Sequence, residues 1–279
     1  MRRIAIAQNT LEILEIGSYI SPNGNQVYIA PELEYCLDKT KCYSPDNLSQ
    51  IEFEVLKSVP RFSSTEFEVR NETTLMGAER IAKTGKFQQI GVLNFASAKN
   101  PGGGFLKGSQ AQEESLARSS ALYKSQLKCR EYYDFHRSGQ SLLYSNWMIY
   151  SPSCPVFKND DGNLLEQQYV VDFITSPAPN AGMIQKNQQH LSVKIPEVLI
   201  SRTSKVLSLA AFGGCDALIL GAWGCGVFKN DPAMVAQIFT DFLLAGGQFW
   251  GRFKSVIFSV LDNSKQQGTF TEFHKRFSC

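Results

Sequence analysis

Histidine is scarce in this sequence, and nothing clusters around it. His136, His190 and His274 are far apart, and the seven cysteines (Cys36, Cys42, Cys129, Cys154, Cys215, Cys225, Cys279) contain no CxxC pair. Zinc of the usual spacing is therefore excluded, no metal is expected, and the odd cysteine count reads as reduced thiols of a cytoplasmic protein. Charge of one sign is also lacking: 28 basic against 26 acidic residues leave a net charge of +2. So weak a field excludes non-specific attraction to nucleic acid or a membrane surface, and a polyanionic ligand must be gripped locally. No run reaches the roughly 18 apolar residues of a membrane span. The opening MRRIAIAQNTLEILEI has the basic residues of a signal peptide, but Gln8, Asn9, Glu12 and Glu15 interrupt its apolar stretch. Internal repeats, low-complexity runs and flexible linkers are absent too. What remains is 279 residues with 43% hydrophobic content, enough for a sizeable core.

Ile4, Ala7, Leu11 and Leu14 recur at helical spacing before Gly17, which predicts an amphipathic first helix. Asn23-Gly24 between two β-rich runs predicts a hairpin. From Glu32 to Arg70 periodicity is poor, and residues 1–70 are expected to form an accessory extension on a catalytic domain spanning 71–279. Beyond Thr73 helix patterns and β-branched runs alternate. A helix capped by Thr73 or Thr74 ends near Gly85, QIGVLNFAS reads as a buried strand, and Gln110 to Gln126 reads as one helix. Strands follow at NWMIYSPSCPVF and YVVDFITSPAP, then a long helix from Pro196, strand ALILGAW, a helix capped at Asn230 or Asp231, and strand KSVIFSV. Thr269 and Glu272 at capping-box spacing open the last helix. Such alternation predicts an α/β fold, a mixed and largely parallel sheet with helices on both faces. Ligands then bind beyond the strand carboxyl ends, here at NFASAKNPGGG, TSPAPNAG and GAWGCGVFKND.

Gly102, Gly103 and Gly104 permit positive φ and close approach of a ligand to backbone amides, or serve only a tight turn. A P-loop is disfavoured, because Ser109 stands where the lysine after Gly108 is needed. A second loop carries Gly221, Gly224 and Gly226, about 120 residues later. Two such turns can clamp a diphosphate with amides and a helix N-terminus, without arginines. Phe228 follows at once, a flat face for a ribose or base, or a core phenylalanine.

Gln112, Glu113 and Glu114 begin the next helix, where acidic residues also occur simply to complement the macrodipole. Adjacent helical residues point about 100° apart, so the two glutamates have separate jobs. A carboxyl serving as general acid in glycoside cleavage must retain its proton against the helix dipole, which calls for burial or a neighbouring negative charge.

The stretch GGG, a spacer, then QEE resembles the signature of poly(ADP-ribose) glycohydrolases. LNFASAKNPGGGFLKGSQAQEESLARSSALY, YSPSCPVFKNDDGNLL, VDFITSPAPNAG and LILGAWGCGVFKNDP together resemble the microbial-type branch of that family over nearly the whole chain. The resemblance implies a macrodomain-like three-layer α/β/α sandwich with an N-terminal helical and hairpin extension. It implies hydrolysis of the ribose–ribose O-glycosidic bond of poly(ADP-ribose), from chain ends, with ADP-ribose as product. Carried over by position, Glu114 is the catalytic acid and Glu113 holds ribose hydroxyls beside Gln112. Asn94, Ser97 and Asn100 contact the distal ribose, and Gly102 to Gly104 with Gly224, Cys225, Gly226 and Val227 contact the diphosphate. Phe228 presses on the terminal ribose, and Ala178 and Asn180 lie in a matching site loop. At Cys225 the backbone amide is expected to matter more than the thiol. No metal or cofactor is implied, and no membrane or sequence-specific nucleic-acid partner. Two alternatives stay open: a hydrolase of mono(ADP-ribosyl) protein or nucleic acid, and a non-catalytic ADP-ribose-binding macrodomain, which would have no need of Glu113 and Glu114. A kinase or ATPase is disfavoured by the missing lysine.

Overall fold

The computed structural model describes residues 1–278, so Cys279 lies outside the described residues. In chain order the elements are α1 (Arg2–Ile16), β1 (Ser18–Ile20), β2 (Gln26–Tyr28), α2 (Ala30–Lys39), β3 (Lys41–Tyr43), α3 (Pro45–Lys57) and β4 (Glu66–Arg70). Then come α4 (Thr74–Lys83), β5 (Ile90–Phe95), α5 (Gln112–Ser119), α6 (Leu122–Gln126), α7 (Arg130–Ser138), β6 (Met148–Lys158) and β7 (Leu164–Ser176). The chain closes with α8 (Ala181–Asn187), α9 (Ile195–Phe212), β8 (Ala217–Leu220), α10 (Pro232–Leu243), β9 (Ser255–Ser259) and α11 (Gly268–Phe277). Among the described residues no helix is long and apolar enough to cross a membrane.

Seven strands form one mixed sheet in the order β3-β6-β7-β5-β8-β9-β4. The β7-β5, β5-β8, β8-β9 and β9-β4 pairs are parallel, and β3-β6 and β6-β7 are antiparallel. Strand alternation sorts the core onto both faces. Leu218, Leu220, Val256 and Phe258 pack with α3, α9, α10 and α11 on one side. Ala217, Ile219, Ile257 and Val92 pack with α1, α2, α4 and α5 on the other. Buried on both faces, these strands read as continuous apolar runs, which is why their type was legible.

Several expectations hold locally. Gly17, at φ 76°, ends α1, Thr73 caps α4 and Asp231 caps α10. Others need correction. Residues 41–43 and 66–70, expected within an accessory extension, supply both edge strands of the main sheet, so the first seventy residues are interleaved with the core. The helix expected over Gln110–Gln126 begins at Gln112 and breaks at Ser120, which is extended and bridges to Val156, while Ala121 N–H donates to the Pro155 carbonyl at 3.0 Å. Ser119 and Ser120 compete with a helix by side-chain bonding, and the β6 edge offers a partner. The Thr269/Glu272 capping box is not formed. Asp262 Oδ2 instead accepts the Thr269 and Phe270 amides at 2.8 and 3.3 Å, and Glu272 pairs with Lys275 and Arg276.

The parallel strands all deliver their carboxyl ends to one rim. Trp223, fully buried, fastens that rim by donating its indole N–H to the Ser176 carbonyl at 3.2 Å, joining the loop after β8 to the end of β7.

Candidate active site

At this rim opens a cleft of about 920 Å³, within the size range of small-molecule sites. Ser97, Asn100, Gly103, Gly104, Glu113 and Glu114 line it on the β5 side, and Gly224 to Phe228 on the β8 side. The two glycine-rich loops thus face one space, as their strand-end positions predicted.

Gln112 sets the orientation of α5. Its Oε1 accepts the Phe95 amide at 2.9 Å, and its Nε2 donates to the Leu93 carbonyl at 2.8 Å and to Thr74 Oγ1 at 3.2 Å. The side chain is therefore a strut between helix and strand rather than a free ligand group, although it reaches the cleft wall. Beyond it, the two glutamates leave the helix in different directions. Glu113 is 3% exposed. Its Oε1 accepts Asn94 Nδ2 at 3.1 Å and Gln126 Nε2 at 2.8 Å, and its Oε2 accepts the Ser97 amide at 2.6 Å. Burial raises its carboxyl to about 7, opposed by the Ser97, Gln126 and Asn94 donors and assisted by the charge on Glu114. Glu114 is half-buried and accepts the Gly104 amide on Oε1 at 3.0 Å.

The glycine triplet serves these carboxylates. A Cβ on Gly103 (φ +59°) would stand 2.4 Å from Glu114 Oε1 and 3.2 Å from Glu113 Oε2. The amides of the triplet are occupied within the chain: Gly102 donates to Gln126 Oε1 at 2.7 Å, Gly103 to the Asn100 carbonyl at 3.0 Å, and Gly104 to Glu114. The expectation that Gly102, Gly103 and Gly104 lend their amides to a diphosphate is corrected accordingly. Such amides are found in the second loop, where Gly224, Gly226, Val227 and Phe228 N–H groups have no acceptor among the described residues. The Cys225 amide, by contrast, donates to the Ala222 carbonyl at 3.1 Å. Its thiol is pushed up to about 12 by burial, with the Asp231 charge adding, which removes it as a neutral-pH nucleophile.

Asn94, fully buried, lies beneath Glu113 rather than on the cleft wall, with Nδ2 also 3.1 Å from Thr175 Oγ1. Ser97 and Asn100 do line the cleft, Ser97 Oγ accepting the Asn100 amide at 3.1 Å. Ala178 and Asn180 stand behind the second loop. Ala178 abuts Gly224, whose added Cβ would meet it at 2.5 Å, and Asn180 caps α8 through the Met183 amide. Phe228 borders the cleft, its ring centroid 6.1 Å from that of Tyr144. None of the three histidines lines the cleft; His136 is buried against Tyr132 and Ser145, and burial pulls its imidazole down to about 4.

Two residues escaped the sequence reading. Gln126, fully buried, bridges Gly102 and Glu113, and the break at Ser120 separates its helix from the one bearing Glu113. Asn230, weighed only as a helix cap, clasps the second loop by donating Nδ2 to the Pro179 and Gly224 carbonyls at 2.8 and 3.1 Å. No spacing rule links either residue to its partner. Glu72 and Asp262 also line the cleft, at the ends of β4 and β9.

Comparison with known proteins agrees with this geometry. The family model for the microbial-type PARG catalytic domain matches residues 7–159. Poly(ADP-ribose) glycohydrolase from Thermomonospora curvata is 45% identical, with TM-score 0.93 and 99% of each chain covered. The same enzyme bound to the inhibitor ADP-HPD gives TM-score 0.91 at 45% identity and 99% coverage of each chain. The Deinococcus radiodurans glycohydrolase in complex with ADP-ribose is 41% identical, with TM-score 0.83, covering 88% of this chain and 97% of its own. No curated protein matches the chain. With two carboxylates in the first turn of α5 facing a strand-end loop of unpaired amides, the chain belongs to the family of microbial-type poly(ADP-ribose) glycohydrolases.

Proposed function

We propose that the chain hydrolyses the ribose–ribose bond of poly(ADP-ribose) and releases ADP-ribose from the chain end. The observation that carries this reading is the division of labour between adjacent glutamates: Glu113 held by three donors, Glu114 facing the same cleft with one donor. The terminal diphosphate rests on the Gly224, Gly226, Val227 and Phe228 amides, and the Phe228 ring covers the terminal ribose. Glu113 Oε2, with a single protein donor, receives a ribose hydroxyl, and the carboxylate's charge supports the oxocarbenium ion. Glu114 Oε1 is engaged by Gly104, which leaves Oε2 to carry the proton.

That proton passes to the departing 2′-oxygen as the C1″–O bond breaks. The Glu114 carboxylate then removes a proton from water as the water oxygen bonds to C1″, which restores the acid and completes the hydrolysis. The Asn94–Glu113–Gln126 set holds its geometry before substrate arrives, so little of the barrier goes into reorganisation. Incubation with poly(ADP-ribose) should liberate ADP-ribose, and Glu114→Gln should lower turnover by about three orders of magnitude while ADP-ribose still binds. Full turnover by that variant would remove the acid from Glu114.

A further inference from the structure

A second hollow of about 600 Å³ adjoins the cleft and shares Thr73, Lys107, Gln110 and Asp160 with it. Its far wall is the first turn of α1. Arg2, Arg3, Lys107 and Arg118 converge on it, against only Asp160 and Asp161. None of these four cations forms an ion pair among the described residues. Arg2 donates only to the Asp161 carbonyl at 3.3 Å, and Arg118 to the Ser109 carbonyl at 2.7 Å and to Gln110 Oε1. Asp160 is turned to Thr73 Oγ1 at 2.5 Å. In a chain whose net charge is +2, four cations without carboxylate partners around one hollow are a local excess that suits a polyphosphate.

Position gives the hollow its direction. Arg118 lies one turn beyond Glu114 on α5, and only 5% of it is exposed. The group that leaves C1″ with the proton of Glu114 is the adenosine ribose of the preceding ADP-ribose unit, and its own diphosphate hangs from that ribose on the acid's side of the bond. We propose that this hollow is a leaving-unit subsite, where Arg2, Arg3 and Lys107 hold the diphosphate of the ADP-ribose unit preceding the scissile bond and Arg118 shapes its floor. The inference rests on the glycohydrolase reading above. It makes the enzyme a reader of two consecutive units, with amides for the terminal diphosphate and cations for the one that leaves.

The test compares three substrates with wild-type protein and with Arg2→Glu/Arg3→Glu. Acidic residues in the first turn favour the helix dipole, so α1 is expected to remain folded. The substrates are long poly(ADP-ribose), the dimer of ADP-ribose, and an α-linked aryl ADP-ribose whose leaving phenol carries no phosphate. The variant should lose roughly tenfold in kcat/KM on both polymer and dimer, and stay within about twofold on the aryl substrate. The loss on polymer should shrink as salt is raised. Equal losses on all three substrates, or none on any, would overturn the subsite. A loss confined to long polymer would place the phosphate contact on units beyond the leaving one and overturn the leaving-unit assignment. Wild-type protein inert on all three would instead refute the glycohydrolase reading, and the subsite with it.

Discussion

Gly103→Ala separates the two roles open to a glycine loop beside a carboxylate. At φ +59° an alanine costs about 1 kcal/mol in backbone strain. Its Cβ, 2.4 Å from Glu114 Oε1, lies about 1 Å inside ordinary contact, and Glu114 is the flexible partner that must give way. Moving the carboxylate that far breaks its bond to the Gly104 amide and misplaces the proton, a displacement worth roughly 100-fold in rate. The amides proposed to hold the diphosphate lie on the opposite loop, so ADP-ribose affinity should change by less than about threefold. Single-turnover release of ADP-ribose measures the first effect and calorimetry the second. Gly85→Ala is the control: Gly85 has φ +63° with nothing within 4 Å of an added Cβ, so it carries the same strain without the clash. It should lose similar stability and no activity. A Gly103→Ala enzyme that turned over normally, or one that lost ADP-ribose affinity instead of rate, would refute the view that the triplet exists for the carboxylates.

Three further outcomes are expected. Burial raises Glu113 from 4.5 to about 7, so its contribution to stability is fully present below pH 4.5 and is lost as pH rises through 7, a change of roughly 3 kcal/mol. His136, lowered from 6.5 to about 4, acts oppositely as pH falls between those values, so the test is the difference between wild type and Glu113→Gln in urea unfolding. That difference should move in the variant's favour from pH 4 to pH 8, and a flat difference would deny the burial effect. Gln126→Leu strips a donor from Glu113 and an acceptor from Gly102, both buried, and should cost about 1–3 kcal/mol with a fall in kcat larger than any rise in KM. A variant with wild-type kcat would remove Gln126 from the positioning of Glu113. Asn230→Asp sets a carboxylate against the Pro179 and Gly224 carbonyls, and calorimetry should find ADP-ribose affinity about tenfold weaker with the melting temperature reduced. Unchanged affinity would mean that the second loop holds its shape without this clasp.

What was legible in the sequence was whatever depends on local order. Buried strands announce themselves as apolar runs, and Gly17, Thr73 and Asp231 cap helices by their own chemistry. The glutamates were found because QEE is contiguous. The misses all depend on distant partners. Asp262 takes the cap that Thr269 and Glu272 predicted, because a carboxylate fixed at the end of β9 reaches the amides first. Ser120 leaves the helix because a strand edge is available to it. Gln112 became a strut through contacts with β5 that its own sequence neighbours do not reveal. β3, with 3 residues, is too short to show a period, so its membership in the sheet could not be read.

The pairing of β4 with β9 has a consequence for how the protein assembles. β4 is made early and its only neighbour in the sheet is made near the end of synthesis. That edge must stay unzipped until almost the whole chain has emerged, which is a high-contact-order closure and a slow one. The rim built last is where β4 and β9 end, beside Glu72 and Asp262. An incomplete chain therefore lacks a finished cleft, and ligand binding there can stabilise only molecules whose sheet has fully closed.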